Sequence, residues 1–160
     1  MRYADRPTPP VHNRCATPPS TVLADMSLEC VDPWGRSVEA PITLSYRSDD
    51  PFAVTLIFRS SSETVAWIVG RNLLMQGLTA PVGEGDVRIY PSIVTGARTV
   101  VVLDFRSPDG RLVAQADSSQ LQAFLTQAFA VVPAGTESAF LDIDSLVDDL
   151  LAQPSEGPTD

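Results

Sequence analysis

Between residues 50 and 110 the chain is interrupted at short intervals by proline, glycine and aspartate, and this punctuation most restricts what it can fold into. The landmarks are Asp50-Pro51, Gly77, Pro81, Gly83, Gly85-Asp86, Pro91 and Ser107-Pro108-Asp109-Gly110. Proline removes a backbone donor and glycine frees the backbone to turn. What lies between these landmarks is short and apolar. Phe52, Val54, Leu56 and Phe58 alternate with neighbours as in a strand. Val65 through Val69 is apolar on both faces, which predicts a central strand or one lying under a helix. Val87 and Ile89 open a second run of strands, followed by residues 99–105 and 112–116. The Ser-Pro-Asp-Gly turn joins the last two as a hairpin.

The flanking segments extend the pattern. Val22, Ala24, Met26, Leu28 and Cys30 alternate with Asp25, Ser27 and Glu29, giving one buried and one wet face. Asp32-Pro33-Trp34-Gly35 reads as a turn into a second strand carrying Ile42, Leu44 and Tyr46. Residues 71–78 suit a short helix ended near Gly77. Leu121, Phe124, Leu125, Ala128 and Phe129 form a helical stripe that Pro133 stops, and Ser119 with Gln122 reads as a capping box at its start. Ile143, Leu146, Val147, Leu150 and Leu151 repeat the stripe behind Asp142 as cap. Four strands, a short helix, three strands and two helices make an α+β domain over residues 21–152. Residues 1–20, with Pro7, Pro9, Pro10, Pro18 and Pro19, read as an extended mobile tail, and residues 153–160 as a second one.

Net charge is -9, and all 11 basic residues are arginine. Nucleic-acid affinity comes largely from Lys and Arg against phosphate, and along the sequence the arginines stand singly. Acidic repulsion and the absence of a clustered run argue against DNA, RNA or an anionic membrane as partner. No apolar run approaches the length of a membrane span. The N-terminal residues have no apolar signal core, and Cys15 and Cys30 read as reduced thiols, so a cytoplasmic setting is expected.

Catalytic chemistry finds few parts. His12, the one histidine, lies in the proline-rich tail, where nothing orients it as a base. Without lysine there is no Schiff-base or Walker-type chemistry, and Gly83-Glu84-Gly85-Asp86 lacks the basic residue of a phosphate loop. Asp142, Asp144, Asp148 and Asp149 spread around a helix face and read as solvated rather than as metal ligands. No catalytic, metal or cofactor site is expected. Trp67 reads as core. Trp34 and Arg36, at a turn tip with little to pack on, are the candidate partner-binding residues, because exposed aromatic and arginine side chains dominate interface energetics.

The order of these landmarks carries a resemblance. Asp50-Pro51-Phe52-Ala53-Val54, Trp67, Arg71-Asn72-Leu73-Leu74, Gly77, Gly85-Asp86-Val87, Ser107-Pro108-Asp109-Gly110, Val132-Pro133-Ala134-Gly135-Thr136-Glu137 and Phe140-Leu141-Asp142-Ile143-Asp144 resemble the SsgA-like family of actinobacterial sporulation and cell-division regulators. The resemblance implies a non-enzymatic regulator of sporulation-specific septation. It implies as partners other SsgA-like proteins and the tubulin-like division GTPase FtsZ, met at the division septum. It also implies a fold similar to the trimeric whirly proteins, and hence a homotrimer. Two rival classes fit an α+β chain of this kind: a single-stranded nucleic-acid binder on a whirly-like fold, and an acidic secretion-type chaperone.

Overall fold

The computed structural model of the chain describes residues 18–32 and 34–152. The expectations placed on residues 1–17 and 153–160, His12 and Cys15 among them, lie outside that range. The elements follow the expected order. Strands β1 (Thr21–Val31), β2 (Ser37–Arg47), β3 (Ala53–Arg59) and β4 (Thr64–Gly70) precede helix α1 (Arg71–Gly77). Strands β5 (Val87–Val94), β6 (Arg98–Ser107) and β7 (Gly110–Asp117) then lead into helix α2 (Ser118–Val131). A 3-10 turn (Glu137–Phe140) and helix α3 (Ile143–Ala152) complete the domain.

All seven strands form one sheet in the order β4-β3-β2-β1-β7-β6-β5, and every pair is antiparallel. The sheet is two hairpin-connected halves joined at a narrow seam. Strand β1 pairs with β2 along its whole length, from Thr21↔Arg47 to Val31↔Ser37. It meets β7 only through Glu29, Cys30 and Val31. Side chains of alternating residues reach one face of a pleated strand, so Leu28, Leu44, Leu56, Leu103 and Phe105 share the buried face. Helix α2 lies on that face and contacts β1, β2, β6 and β7, burying Leu121, Phe124, Leu125 and Ala128. Each such large side chain contributes about 1.5–3 kcal/mol of burial.

Two local expectations change. The cap of α2 is Asp117, whose carboxylate accepts from the backbone N–H groups of Ser119 (3.0 Å) and Gln120 (3.1 Å). Strand β7 runs straight into the helix, so the free amides of the first turn face Asp117 before Ser119 can act as cap. Strand β4 is an edge strand rather than a central one. Its inner face is covered, with Val69 buried and Trp67 stacked on Phe105 at 4.7 Å between ring centroids. Its outer face leaves Ile68 in water with 70% of its surface exposed, and Val65, at the far end of the inner face, is also exposed. Apolar character on both faces reports what a strand can cover, not whether this chain supplies the cover.

The two halves are tied together by one buried cation. Arg71, at the first position of α1, is 1% exposed. Its guanidinium donates to the Tyr46 hydroxyl (2.9 Å), to the carbonyls of Ala128 (3.3 Å) and Val132 (2.6 Å) at the end of α2, and to the Glu137 carboxylate (2.7 Å). It also stacks over the Phe129 ring at 3.9 Å. Tyr46 in turn donates to the Pro51 carbonyl at 3.0 Å. A cation at a helix C-terminus satisfies free carbonyls and the helix dipole together.

Candidate partner-binding surface

Trp34 and Arg36 stand at the tip of the β1–β2 hairpin, and the structure brings them together. The strand register closes at Val31↔Ser37, and Gly35 takes the left-handed turn position at φ 78° that a side chain would strain. The Asp32 amide donates to the Arg36 carbonyl and the Gly35 amide to the Asp32 carbonyl, both at 2.9 Å. The Asp32 carboxylate organises the rest. One oxygen accepts from the backbone amides of Trp34 (2.9 Å) and Arg36 (2.8 Å), and the other accepts from Nε of Arg36 (2.7 Å). Desolvation pushes the Asp32 carboxyl up, but the bonds from the Arg36 backbone and side chain and the Trp34 amide outweigh it and hold it below its ordinary range. The guanidinium so fixed sits 5.2 Å from the centroid of the Trp34 ring. Trp34 itself is 78% exposed. A wide aromatic surface is thus presented to solvent in a set orientation, stacked on a cation that retains donors for a partner.

A second surface was not visible in the sequence. Cross-strand pairing places Arg88 opposite Asp104 and Arg106 opposite Arg111, gathering three separated arginines on the outer face of β5, β6 and β7. They line a cavity of about 370 Å³ together with Tyr90, Pro81 and Val82. Asp104 is 3% exposed and accepts two bonds from Arg111, at 2.8 and 2.7 Å. Arg106 lies 3.6 Å away. The Arg111 bond is the main reason its carboxyl stays below the ordinary range, ahead of the opposing effect of burial. A carboxylate ionised at neutral pH and held by two guanidinium groups has no proton to exchange, so this cluster is an electrostatic feature and not an acid-base pair.

The third surface is α3. Asp142 caps it as expected, accepting from the Ser145 amide at 3.0 Å. Its apolar stripe was expected to pack, yet no residue of α3 is buried, and Ile143, Leu146, Val147, Leu150 and Leu151 are all exposed. Among the described residues no helix is long and apolar enough to cross a membrane.

Residues 40–137 match the family described as Streptomyces sporulation and cell division protein, SsgA. That span runs from within β2 through Glu137 and includes both ends of the Arg71–Glu137 pair. The chain belongs to the SsgA family. Among its relatives, the sporulation-specific cell division protein SsgB of Kineococcus radiotolerans is 40% identical over 127 residues, 79% of this chain and 77% of the relative. SsgB of Streptomyces coelicolor is 37% identical over 135 residues, 84% of this chain and 98% of the relative. A solved structure of an SsgA-like sporulation-specific cell division protein from Thermobifida fusca superposes with a TM-score of 0.74 at 33% identity, covering 84% of this chain and 98% of its own. Another, from work relating SsgB mutations to longitudinal division in sporulating S. coelicolor, gives 0.74 at 35% identity, covering 79% of this chain and 99% of its own. The α+β fold is therefore that of solved SsgA-family members, and the relatives support a role in cell division. Trp34 and Arg36 fall just before the matched span, at the far end of the hairpin that enters it.

Proposed function

We propose that this SsgA-family chain is a non-catalytic positioning factor for sporulation-specific cell division. It recruits the tubulin-like protein FtsZ to septum sites from the cytoplasm and works alongside other SsgA-like proteins. The observation that carries this reading is the similarity to sporulation-specific cell division proteins across about four-fifths of the chain. The geometry supports it in kind. The buried charged groups are committed to structure, as Arg71 and Asp104 illustrate, while apolar and aromatic side chains are left facing solvent. That is the make-up of a protein-binding module rather than of an enzyme or a cofactor carrier.

Within this reading the domain spans residues 21–152, and Trp34 with Arg36 forms the anchor for a protein partner. The chain assembles as a homotrimer. The free edge of β4, with Val65 and Ile68 exposed, supports self-association, since unpaired strand edges are usually covered or paired. Nucleic acid is not the partner: net charge is -9, and the gathered arginines already surround a carboxylate. Affinity capture from a sporulating actinobacterial host, with the full chain and with Trp34→Ala, tests the reading. FtsZ recovered with the first and lost with the second supports it. Recovery of nucleic acid or of an exported client in place of division proteins overturns it.

A further inference from the structure

Helix α3 carries features that cost it stability on its own. Its apolar stripe lies in water, and no residue of the helix is buried. Asp144 and Asp148 stand one turn apart along one rim of that stripe, where like charges at i and i+4 repel. Asp148 and Asp149 lie towards the C-terminal end, where the helix dipole disfavours carboxylates, and the last turn holds no basic residue. Among the described residues Asp144, Asp148 and Asp149 form no ion pair. An apolar stripe with such a rim is complemented by an apolar surface that carries cations.

The outer face of β5, β6 and β7 has that make-up. Arg88, Arg106 and Arg111 wall its cavity with one acid among them, Asp104. Arg111 is committed to Asp104 through two hydrogen bonds, while Arg88 forms no ion pair among the described residues. Three guanidinium groups against one carboxylate leave two positive charges uncompensated. Pro81, Val82 and Tyr90 supply apolar wall beside them. The spacing agrees as well. Arg88 pairs across from Asp104, and Arg106 lies two residues along β6, a diagonal of about 7–8 Å. Carboxylates one helical turn apart stand about 6 Å from each other, so two on one rim can meet two guanidinium groups together.

Within one molecule the two surfaces stay apart. Asp49, which lines the cleft at the start of α3, lies next to the Thr21↔Arg47 end of β1. Val113 pairs with Val31 at the other end of β1, and Arg111 lies two residues beyond. The 11 residues of β1 span about 33 Å. Helix α3 is only about 15 Å long and does not bridge that distance. A contact between them therefore joins two copies.

We propose that α3 of one copy docks on the arginine cavity of the next. Asp144 and Asp148 meet Arg88 and Arg106, and the apolar stripe lies on Pro81, Val82 and Tyr90. A contact between unlike surfaces repeats from copy to copy and closes into a ring when the rotation allows. This contact rests on the homotrimer reading and gives that assembly its surfaces.

Light scattering at micromolar concentration tests it in four full-length proteins, each first shown to melt cooperatively. They are the parent chain, Asp144→Arg with Asp148→Arg, Arg88→Glu with Arg106→Glu, and a chain with all four substitutions. The parent should give a trimer mass. Either pair of reversals should weaken association about tenfold or more, leaving monomer. All four together should restore the trimer, because opposite charges face each other again. Should Arg106→Glu beside Asp104 prevent folding, Arg88→Glu alone takes its place and should still weaken association. A parent that is itself a monomer overturns the trimer and this contact together. A trimeric parent whose mass survives either pair of reversals overturns this contact alone and leaves the trimer to another surface, such as the β4 edge. Loss of assembly in the arginine variant but not in the α3 variant also overturns it, by giving the cavity a different acidic occupant. A fourfold variant that stays monomeric contradicts the pairing.

Discussion

The guanidinium of Arg71 and the carboxylate of Glu137 meet at 2.7 Å, with their side chains 1% and 8% exposed, across 66 residues of sequence. Between them they join the start of α1, the end of α2 and the 3-10 turn that leads into α3. Truncating Arg71 to Ala takes the counter-ion from Glu137 and the guanidinium donor from the Val132 carbonyl and the Tyr46 hydroxyl. Loss of one member of a buried pair typically costs about 3–5 kcal/mol. Urea denaturation of Arg71→Ala should show a loss of this size, and an unchanged midpoint would remove the pair from its structural role.

Acid should find the same weakness. The Glu137 carboxyl is held below its ordinary value of 4.5, first by its own backbone amide and, against burial, by Arg71. Asp104 lies below 3.8, first through Arg111. A carboxyl with a depressed folded-state pKa contributes stability above its unfolded value and loses it as pH falls through the folded one. Stability should therefore be flat from pH 7 to about pH 5 and decline below about pH 4. Glu137→Gln should lower the plateau and make the acid limb shallower. A variant whose acid limb matched the parent's would show that Glu137 carries no linked proton.

Backbone space at the α1–β5 contact gives a sharper test. A Cβ on Gly77 would collide with the Ile89 side chain, whereas one on Gly85 would meet nothing within 4 Å. Gly77→Ala should cost about 1–3 kcal/mol through overpacking. Gly85→Ala carries only the strain of its left-handed backbone (φ 71°), about 1 kcal/mol. Thermal melts of the two variants side by side check the order, and the reverse order would contradict this packing.

How much of this was legible in the chain depends on what kind of partner each residue has. Alternation in β1 and β2 and the stripe of α2 could be read because their partners are the core itself, and any apolar neighbour serves. Arg71 could not: no periodicity distinguishes an arginine destined for burial from one on the surface, and its partners lie on segments far away in sequence. The same holds for Arg88, Arg106 and Arg111, which stand singly along the chain until cross-strand pairing aligns them around Asp104. Val65, Ile68 and the α3 stripe were correctly read as apolar, but not as uncovered, since a sequence pattern carries no record of whether the cover is internal. The hairpin tip was legible as a place, through Asp32 and Gly35, while the stacking of Arg36 on Trp34 emerged only from the geometry of the Asp32 carboxylate.

The hairpin tip yields a prediction that separates binding from folding. Trp34→Ala removes an exposed ring that supports no core contact, so stability should change by less than about 0.5 kcal/mol. Affinity for the partner should fall by about 2 kcal/mol, roughly 30-fold, as for a central aromatic anchor. Calorimetric titration against purified FtsZ, alongside a melt of the free protein, reads both. Unchanged affinity would move the anchor elsewhere.

Assembly is checked by mass. Light scattering at micromolar concentration should give three times the 17.2 kDa of the chain. A monomer mass across that range would contradict the trimer.

The central claim, that the chain positions the division machinery, is tested most directly by where it goes. A fluorescent fusion of the full chain should be imaged through sporulation in an actinobacterial host, together with labelled FtsZ. The account predicts regularly spaced bands of the fusion at future septa, coinciding with FtsZ. A fusion that stays diffuse, or that follows the nucleoids while FtsZ forms its ladder, contradicts it.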